Sequence, residues 1–222
     1  MKIFVSLYRT FFADKKIVIY TIVAFLFLAI SVFINFYAGR YANVSQSNYV
    51  TDIILSNIRV FDVDMMFVYA TFLSFIAIIL YCLKNPFQIS YIVKSIALFI
   101  TIRCLFIILT HIWAYPTSIP LDQTITFYTT FSHFSFTGDL FFSGHTWLPF
   151  LLALIAWKNK ILRYILLAVT LFFATIVLLG HMHYSIDVAS AFFISYGIYH
   201  LTIYFFPKDK KYFDKDFGHV SE

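Results

Sequence analysis

The chain has 222 residues, of which 61% are hydrophobic and 12% are charged, and its mean hydropathy is +0.84. A soluble globular domain is nearer half apolar and a quarter charged, so this composition excludes that class and indicates an integral membrane protein. The formal net charge of +5 does not indicate nucleic-acid binding, because the basic residues are scattered between the apolar runs and form no stripe.

Six runs are apolar and long enough to predict membrane-spanning helices, each of which needs about 20 mostly apolar residues. In chain order they are Ile17–Tyr37, Met65–Leu83, Ile89–Trp113, Phe142–Trp157, Ile161–Leu179 and Ile186–Phe206, and the fourth is short. The runs are continuous and lack the two-residue alternation of a membrane β-barrel. The sequence therefore predicts an all-α integral membrane protein, a six-transmembrane-helix bundle that forms a single domain over residues 1–222.

The distribution of basic residues predicts the orientation. Sixteen residues, four of them basic, precede the first run, and no small-residue cleavage site follows it, so we interpret the first helix as retained and not as a signal peptide. Most other basic residues fall on the side of the two termini, whereas the opposite loops contain only Arg40 and Arg59. The positive-inside rule then predicts cytoplasmic termini, with a polar tail over Pro207–Glu222, and an opposite side that faces the periplasm, the lumen or the exterior.

The outward connections gather many acidic and histidine residues. The connections are Ala38–Asp64, Ala114–Phe141 and Gly180–Ser185. Ionisable groups near a membrane are costly, so such a cluster is a functional hypothesis by default. The alternative for a lone histidine is an interfacial residue, which is how we interpret His111 and His133.

The segment HMHYSIDV, residues 181–188, contains His183 and Asp187 at positions i and i+4 where the sixth predicted span opens. This spacing predicts that both side chains lie on one helical face. There the carboxylate can bind one ring nitrogen, fix the tautomer and leave the other nitrogen as a nucleophile. His145, in the segment GDLFFSGHTW at residues 138–147, opens the fourth span at the same outer boundary. We therefore predict that the two imidazoles face one cavity, with Asp187 hydrogen-bonded to His183.

Arg103 is an arginine well inside a predicted span, in the outer part of the third helix. Its guanidinium suits phosphate oxygens, which it can bind with two parallel hydrogen bonds. The alternative is a side chain that only extends towards the outer headgroups, and composition does not separate the two. A metal site at the His-Met-His triplet is disfavoured because residues at i and i+2 diverge on a helix, so we predict neither a metal nor a cofactor.

The segments GDLFFSGHTW and HMHYSIDV, with the weaker RCLFIILT before an outward loop, resemble the signature segments of the sphingomyelin synthase family. This family is the lipid phosphotransferase branch of the type 2 phosphatidic acid phosphatase superfamily. The resemblance covers residues 102–188 by motif and the six-span layout over the whole chain. It implies a catalytic site without metal, in which His183 forms a phosphohistidine-type intermediate and Asp187 orients it. His145 would protonate the departing lipid alkoxide and then deprotonate the incoming hydroxyl. The substrate-binding residues that it implies are Arg103, Asp139, Ser143, Gly144 and Tyr184.

The resemblance implies transfer of a phospho-headgroup from a glycerophospholipid to a lipid alcohol such as ceramide or diacylglycerol. Phosphatases of the superfamily carry a Lys-x6-Arg-Pro segment and an arginine six residues before the nucleophile. The first is absent here and Val177 stands at the second position, which favours a transferase. With water as acceptor the same site would make a lipid phosphatase or a phospholipase C-like hydrolase, and this alternative stays open. The expected partners are membrane lipids and not nucleic acid, and the oligomeric state is open.

Two further alternatives concern the whole bundle and its rim. A transporter or a scaffold is disfavoured, because a transporter would have Gly- and Pro-interrupted spans around a midplane site. Outer aromatic residues such as Phe141 and Trp147 either exclude water from the site or form the ordinary interfacial belt of a membrane protein.

Overall fold

The computed structural model describes residues 2–118, 141 and 143–220. Over these residues the chain forms eight α-helices and one 3-10 turn, with no β-strand. The elements are α1 (Lys2–Ala13), α2 (Lys15–Val44), α3 (Asp64–Lys84), the 3-10 turn Pro86–Gln88, α4 (Ile89–Leu109), α5 (Gly144–Ile155), α6 (Lys160–Leu179), α7 (Ser185–Phe205) and α8 (Pro207–Val220). The predicted all-helical class is confirmed for the part of the chain that the structure describes.

Five helices, α2, α3, α4, α6 and α7, are long and apolar enough to cross a membrane. They support a multi-pass membrane protein, but the predicted count of six spans is not confirmed. The fourth predicted span gives only α5, whose 12 residues extend for about 18 Å against a hydrocarbon core of about 30 Å. The helix stops early because the Asn159 side chain accepts a hydrogen bond from the Leu162 N–H and begins α6 there. Apolarity alone does not reveal that turn.

Other predicted boundaries also move: the first span continues to Val44 instead of ending at Tyr37, and two further shifts have identifiable reasons. The first span begins earlier, at Lys15, because the Asp14 carboxylate accepts hydrogen bonds from the N–H groups of Lys16 and Ile17 and caps α2. The third ends at Leu109 instead of Trp113, because the chain leaves the helix to join the segment after α2. The Ser47 N–H donates to the His111 carbonyl at 2.9 Å, and the Trp113 N–H donates to the Asn48 carbonyl at 3.2 Å.

Small side chains allow α2 to lie close along α4. The buried face of α2 repeats every seven residues at Ile17, Ala24, Ser31 and Ala38. Small residues at a helix interface in a membrane let two backbones approach and gain van der Waals contact, since lipid tails offer no hydrophobic driving force. This pair of helices forms one wall of the bundle.

The other wall consists of α5 packed against α6 and α7. Its core is built on Leu151 of α5 and Ala191 of α7, which are fully buried. Trp147 of α5 stacks on Phe99 of α4 with ring centroids 3.4 Å apart and joins the two walls. Trp147 is therefore a core residue, and its expected place among the aromatic residues of the outer rim is wrong.

The bundle has two chemically different ends. At one end, which we call the site end, the Phe61 N–H before α3 donates to the Leu179 carbonyl at the end of α6. The starts of α5 and α7 meet there too, through the bond between the Ser143 N–H and the Asp187 carbonyl at 3.3 Å. The opposite end, which we call the basic end, holds α1 and α8.

The polar tail predicted over residues 207–222 contains a helix that packs on the basic end. Lys94, inside α4, donates to the Asp209 carboxylate of α8 at 2.7 Å, and both side chains are buried. Phe213 of α8 is also buried and packs on Tyr91, with ring centroids 5.3 Å apart. The Tyr212 hydroxyl donates to the Asp14 carboxylate before α2 at 3.0 Å. These contacts attach the tail to the bundle, which the polar composition of the tail does not indicate.

Candidate active site

His183 lies in the turn between α6 and α7, before α7 begins at Ser185. The N–H groups of Met182 and His183 both point to the Val177 carbonyl, at 2.9 and 3.4 Å, and His181 has a φ of 51°, in the left-handed region. The prediction that His183 and Asp187 share a helical face is thus wrong, because His183 precedes the helix. The tight turn itself brings the His183 Nδ1 to 3.6 Å from the Asp187 Oδ2.

The Asp187 carboxylate is fully buried and incompletely satisfied. Its Oδ2 accepts a hydrogen bond from the Tyr184 N–H at 2.9 Å, while its Oδ1 has no hydrogen-bond partner among the described residues. The 3.6 Å separation from His183 is ion-pair distance but longer than a hydrogen bond, so the predicted bond is not formed in this structure. A buried carboxylate oxygen without a partner is costly, and such groups in native proteins call for an explanation in function.

His145 lies in the first turn of α5, next to the start of α7. The Ser143 N–H donates to the Asp187 carbonyl, so the residue before α5 is bonded directly to the first turn of α7. The His145 ring packs edge-on against Phe67 of α3, with centroids 4.3 Å apart, and lies 5.8 Å from Phe173 of α6. Its Nδ1 is buried and has no hydrogen-bond partner among the described residues. The His145 imidazole is therefore held at the site end with aromatic rings packed against it.

Arg103 reaches the same place from α4. Its side chain is buried, and its Nη2 lies 4.0 Å from the position that a Cβ atom on Gly144 would occupy. Arg103 thus reaches the residue directly before His145, and the bond between the Ser143 N–H and the Asp187 carbonyl brings the start of α7 to the same end. The buried guanidinium beside the first residue of α5 favours the phosphate-binding interpretation of Arg103 over an extension towards the headgroups.

The remaining predicted site residues have different surroundings. Ser143 is buried, and its hydroxyl oxygen accepts a hydrogen bond from the Thr146 hydroxyl at 3.2 Å. The Tyr184 hydroxyl donates to the Trp113 carbonyl at 2.7 Å and accepts from the Val50 N–H at 3.3 Å. Tyr184 therefore fastens two outer segments to the start of α7. Asp139 lies outside the described residues.

Asp52 is a buried residue of the site end that the sequence does not single out. Its Oδ1 accepts hydrogen bonds from the Ile54 and Leu55 N–H groups at 2.8 and 3.0 Å, and its Oδ2 accepts from the Ser185 N–H at 2.7 Å. Burial raises the pKa of Asp52, but the bonds from Leu55 and Ser185 and the further bond from Ile54 outweigh burial and hold the pKa below its ordinary value. Asp52 and Ser185 are 133 residues apart in the chain, so no sequence pattern connects them.

The chemistry that converges here is suited to an anion. A guanidinium, two imidazoles and the N-terminal ends of α5 and α7 all favour negative charge, and a phosphate can accept from every one of them. Within the described residues, no group of three or more His, Cys, Asp or Glu side chains is placed to hold a metal ion.

Comparison with known families adds an independent observation. Residues 136–204 match the family profile described as PAP2 superfamily C-terminal. This match supports the type 2 phosphatidic acid phosphatase superfamily, although it does not single out the sphingomyelin synthase branch. The PAP2 match includes His145, His183 and Asp187, whereas Asp52 and Arg103 precede it. It suggests phosphatase or phosphotransferase chemistry. Neither the curated proteins nor the solved structures contain a match to the chain.

Proposed function

We propose that this protein is a membrane phosphotransferase that moves a phospho-headgroup from a glycerophospholipid to a lipid alcohol such as ceramide or diacylglycerol. One observation carries the proposal. The His183–Asp187 pair lies at the start of α7, which is bonded to the residue before α5 and His145, and the buried Arg103 reaches Gly144 at the same end. A phospholipid headgroup carries an anionic phosphate, which a guanidinium and helix N-terminal ends favour.

In the first half-reaction the His183 Nε2 attacks phosphorus, because the Nδ1 is the nitrogen that faces Asp187. The new P–N bond forms as the bond from phosphorus to the glycerol oxygen breaks. Protonated His145 gives its proton to that oxygen, and diacylglycerol leaves. Asp187 stabilises the positive charge that develops on the His183 ring, and Arg103 holds the phosphate oxygens.

In the second half-reaction the now neutral His145 removes the proton of an incoming hydroxyl group. The hydroxyl oxygen forms a bond to phosphorus, the P–N bond breaks, and the electron pair returns to His183. Both histidines then have their initial protonation states. The roles need a proton carrier that can act in both directions, and an imidazole can give and take a proton at the same nitrogen.

The acceptor depends on access to His145. The rings of Phe67 and Phe173 pack against the ring of His145, with centroids 4.3 and 5.8 Å away. An apolar wall of this kind excludes water and accommodates an acyl chain, which favours a lipid hydroxyl over water as acceptor. Transfer to water would make the same site a lipid phosphatase or a phospholipase C-like hydrolase.

The test uses the purified full-length protein in vesicles with a mixture of glycerophospholipid donors, of which one at a time carries a labelled phosphate. Products with and without ceramide are resolved by mass. We expect labelled phospho-ceramide and diacylglycerol in equal amounts, and no turnover by His183→Ala. His111→Ala is the matched control, because His111 contacts Tyr41 and the Ile108 carbonyl away from the site. If free phospho-headgroup is released at an undiminished rate in the presence of ceramide, the transferase proposal is wrong and the protein is a hydrolase.

A further inference from the structure

We propose that Asp52 is a positioning residue for His183, an inference that rests on the proposed role of His183 as the nucleophile. Asp52 belongs to the segment between α2 and α3, and it reaches across to the start of α7. The hydrogen bonds of its carboxylate go to main-chain N–H groups, those of Ile54, Leu55 and Ser185. Its effect on the reaction is exerted through the main chain that follows His183.

Two carboxylates fix consecutive N–H groups directly after His183. Asp187 accepts from the Tyr184 N–H at 2.9 Å, and Asp52 accepts from the Ser185 N–H at 2.7 Å. Before His183, the bond from its own N–H to the Val177 carbonyl is long, at 3.4 Å. The Met182 N–H also donates to the Val177 carbonyl, at 2.9 Å, so the main chain at His183 is held from both sides, and the bond to Asp52 is the shortest of these four bonds.

Asp52 is itself anchored well enough to act as a fixed point. Its other oxygen is bonded to the N–H groups of Ile54 and Leu55, and its side chain is buried. The neighbouring Val50 N–H donates to the Tyr184 hydroxyl at 3.3 Å, which is a second connection between the same two segments. A charged acceptor makes stronger hydrogen bonds than a neutral one, so the Asp52 carboxylate contributes more to this connection than the Tyr184 hydroxyl.

Small displacements matter at this site. The His183 Nδ1 is already 3.6 Å from the Asp187 Oδ2, beyond hydrogen-bond distance. A shift of about 1 Å in a positioned reacting group lowers a rate by about 100-fold. If Ser185 loses its acceptor and the turn relaxes, His183 moves relative to both Asp187 and phosphorus, and the chemical step slows while lipid binding is retained.

The variant Asp52→Asn distinguishes the positioning of His183 from a role of Asp52 only within its own segment. The single carbonyl oxygen of asparagine can still accept from the Ile54 and Leu55 N–H groups, so the turn inside the segment persists. The amide –NH₂ then faces the Ser185 N–H, and two donors cannot bond to each other. Asp62→Asn is the matched control. Asp62 is in the same segment and accepts from the Asp64 N–H at 3.2 Å, as Asp52 accepts from the Ile54 N–H, and the described residues show no bond from Asp62 to the turn that carries His183.

The experiment measures kcat and KM for transfer to ceramide, per mole of folded protein, at a temperature well below the melting point of each variant. For Asp52→Asn we expect kcat to fall by about 10- to 100-fold with KM nearly unchanged, and Asp62→Asn to remain at the wild-type value. Nearly normal kcat in Asp52→Asn would overturn the proposal. So would an equal fall of kcat in Asp52→Asn and Asp62→Asn, because the loss would then not depend on the bond to the Ser185 N–H.

A second measurement does not depend on turnover. In protein with ¹⁵N-labelled histidine, the side-chain signal of His183, identified by its loss in His183→Ala, should shift in Asp52→Asn and stay in place in Asp62→Asn. An unmoved His183 signal in Asp52→Asn would refute the positioning role. If the wild-type protein has no transfer or hydrolysis activity at all, the proposed function fails, and the signal still decides whether Asp52 positions the ring.

Discussion

Removal of the Asp209 carboxylate should detach α8 from the bundle at a large cost in stability. Asp209 is the partner of Lys94, the distance between the Nζ and Oδ1 atoms is 2.7 Å, and the side chains are only 5% and 8% exposed. Breaking such a pair from one side leaves a buried charge without its partner and costs about 3–5 kcal/mol. For a chain of this length each kcal/mol lowers the melting temperature by about 2–4 °C, so Asp209→Ala should melt about 6–20 °C below the wild type.

The matched control is Asp214→Ala on the same helix. Asp214 pairs with Lys158 at 3.2 Å and with Lys210 at 2.7 Å, but its side chain is 34% exposed. Exposed pairs contribute about 0–1 kcal/mol each because water screens them. The loss for Asp214→Ala should therefore be small beside that for Asp209→Ala.

The assay is thermal unfolding in detergent micelles, followed by tryptophan fluorescence, for the wild type, both single variants and the double variant Lys94→Met with Asp209→Leu. Replacing both charges by apolar side chains of similar volume should recover most of the stability, since no buried charge is left unpaired. Equal losses for Asp209→Ala and Asp214→Ala would refute the reasoning. A double variant as unstable as Asp209→Ala would refute it too, because the loss would then not come from the unpaired lysine.

Four further outcomes are expected. Asp187→Asn should bind lipid with an unchanged KM but slow turnover by about 10⁴, as for other carboxylates that orient catalytic imidazoles, and wild-type kcat would contradict that role. Arg103→Lys should lower kcat/KM by about 10- to 100-fold, because an ammonium cannot make two parallel bonds to phosphate, and an unchanged kcat/KM would count against phosphate binding. Because the pKa of Asp52 is lowered in the folded protein, its bonds stabilise the fold above the ordinary value of about 3.9, and this stability is lost as the pH falls through the lower, folded value. The melting-temperature gap between wild type and Asp52→Ala should thus be constant from pH 7 to 5 and shrink below about pH 4, whereas a gap that persists in acid would contradict the assignment. A reporter fused to the C-terminus should be active in the cytoplasm, and activity only on the opposite side would reverse the predicted orientation.

The sequence by itself predicted the all-helical class of the fold and singled out candidate residues for the site. Long apolar runs are typical of membrane proteins, in which the backbone must be helical or form a closed barrel. Because these runs are continuous and do not alternate, they indicate helices. The histidines at 145 and 183 and the acid at 187 stood out because ionisable residues are costly beside lipid. Lys94 has the same signal, an ionisable residue inside an apolar run, although its partner could not be read from the sequence.

Only the tertiary structure decided how these residues meet. The approach of His183 to Asp187 comes from a tight turn before α7 and not from helical spacing, and the length of α5 depends on where Asn159 starts the next helix. Asp52 with Ser185, and Lys94 with Asp209, are 133 and 115 residues apart. Hydropathy and motif spacing are local properties, whereas those contacts exist because separate helices and loops pack together, so they follow from the packing of the whole bundle and from no single stretch of the chain.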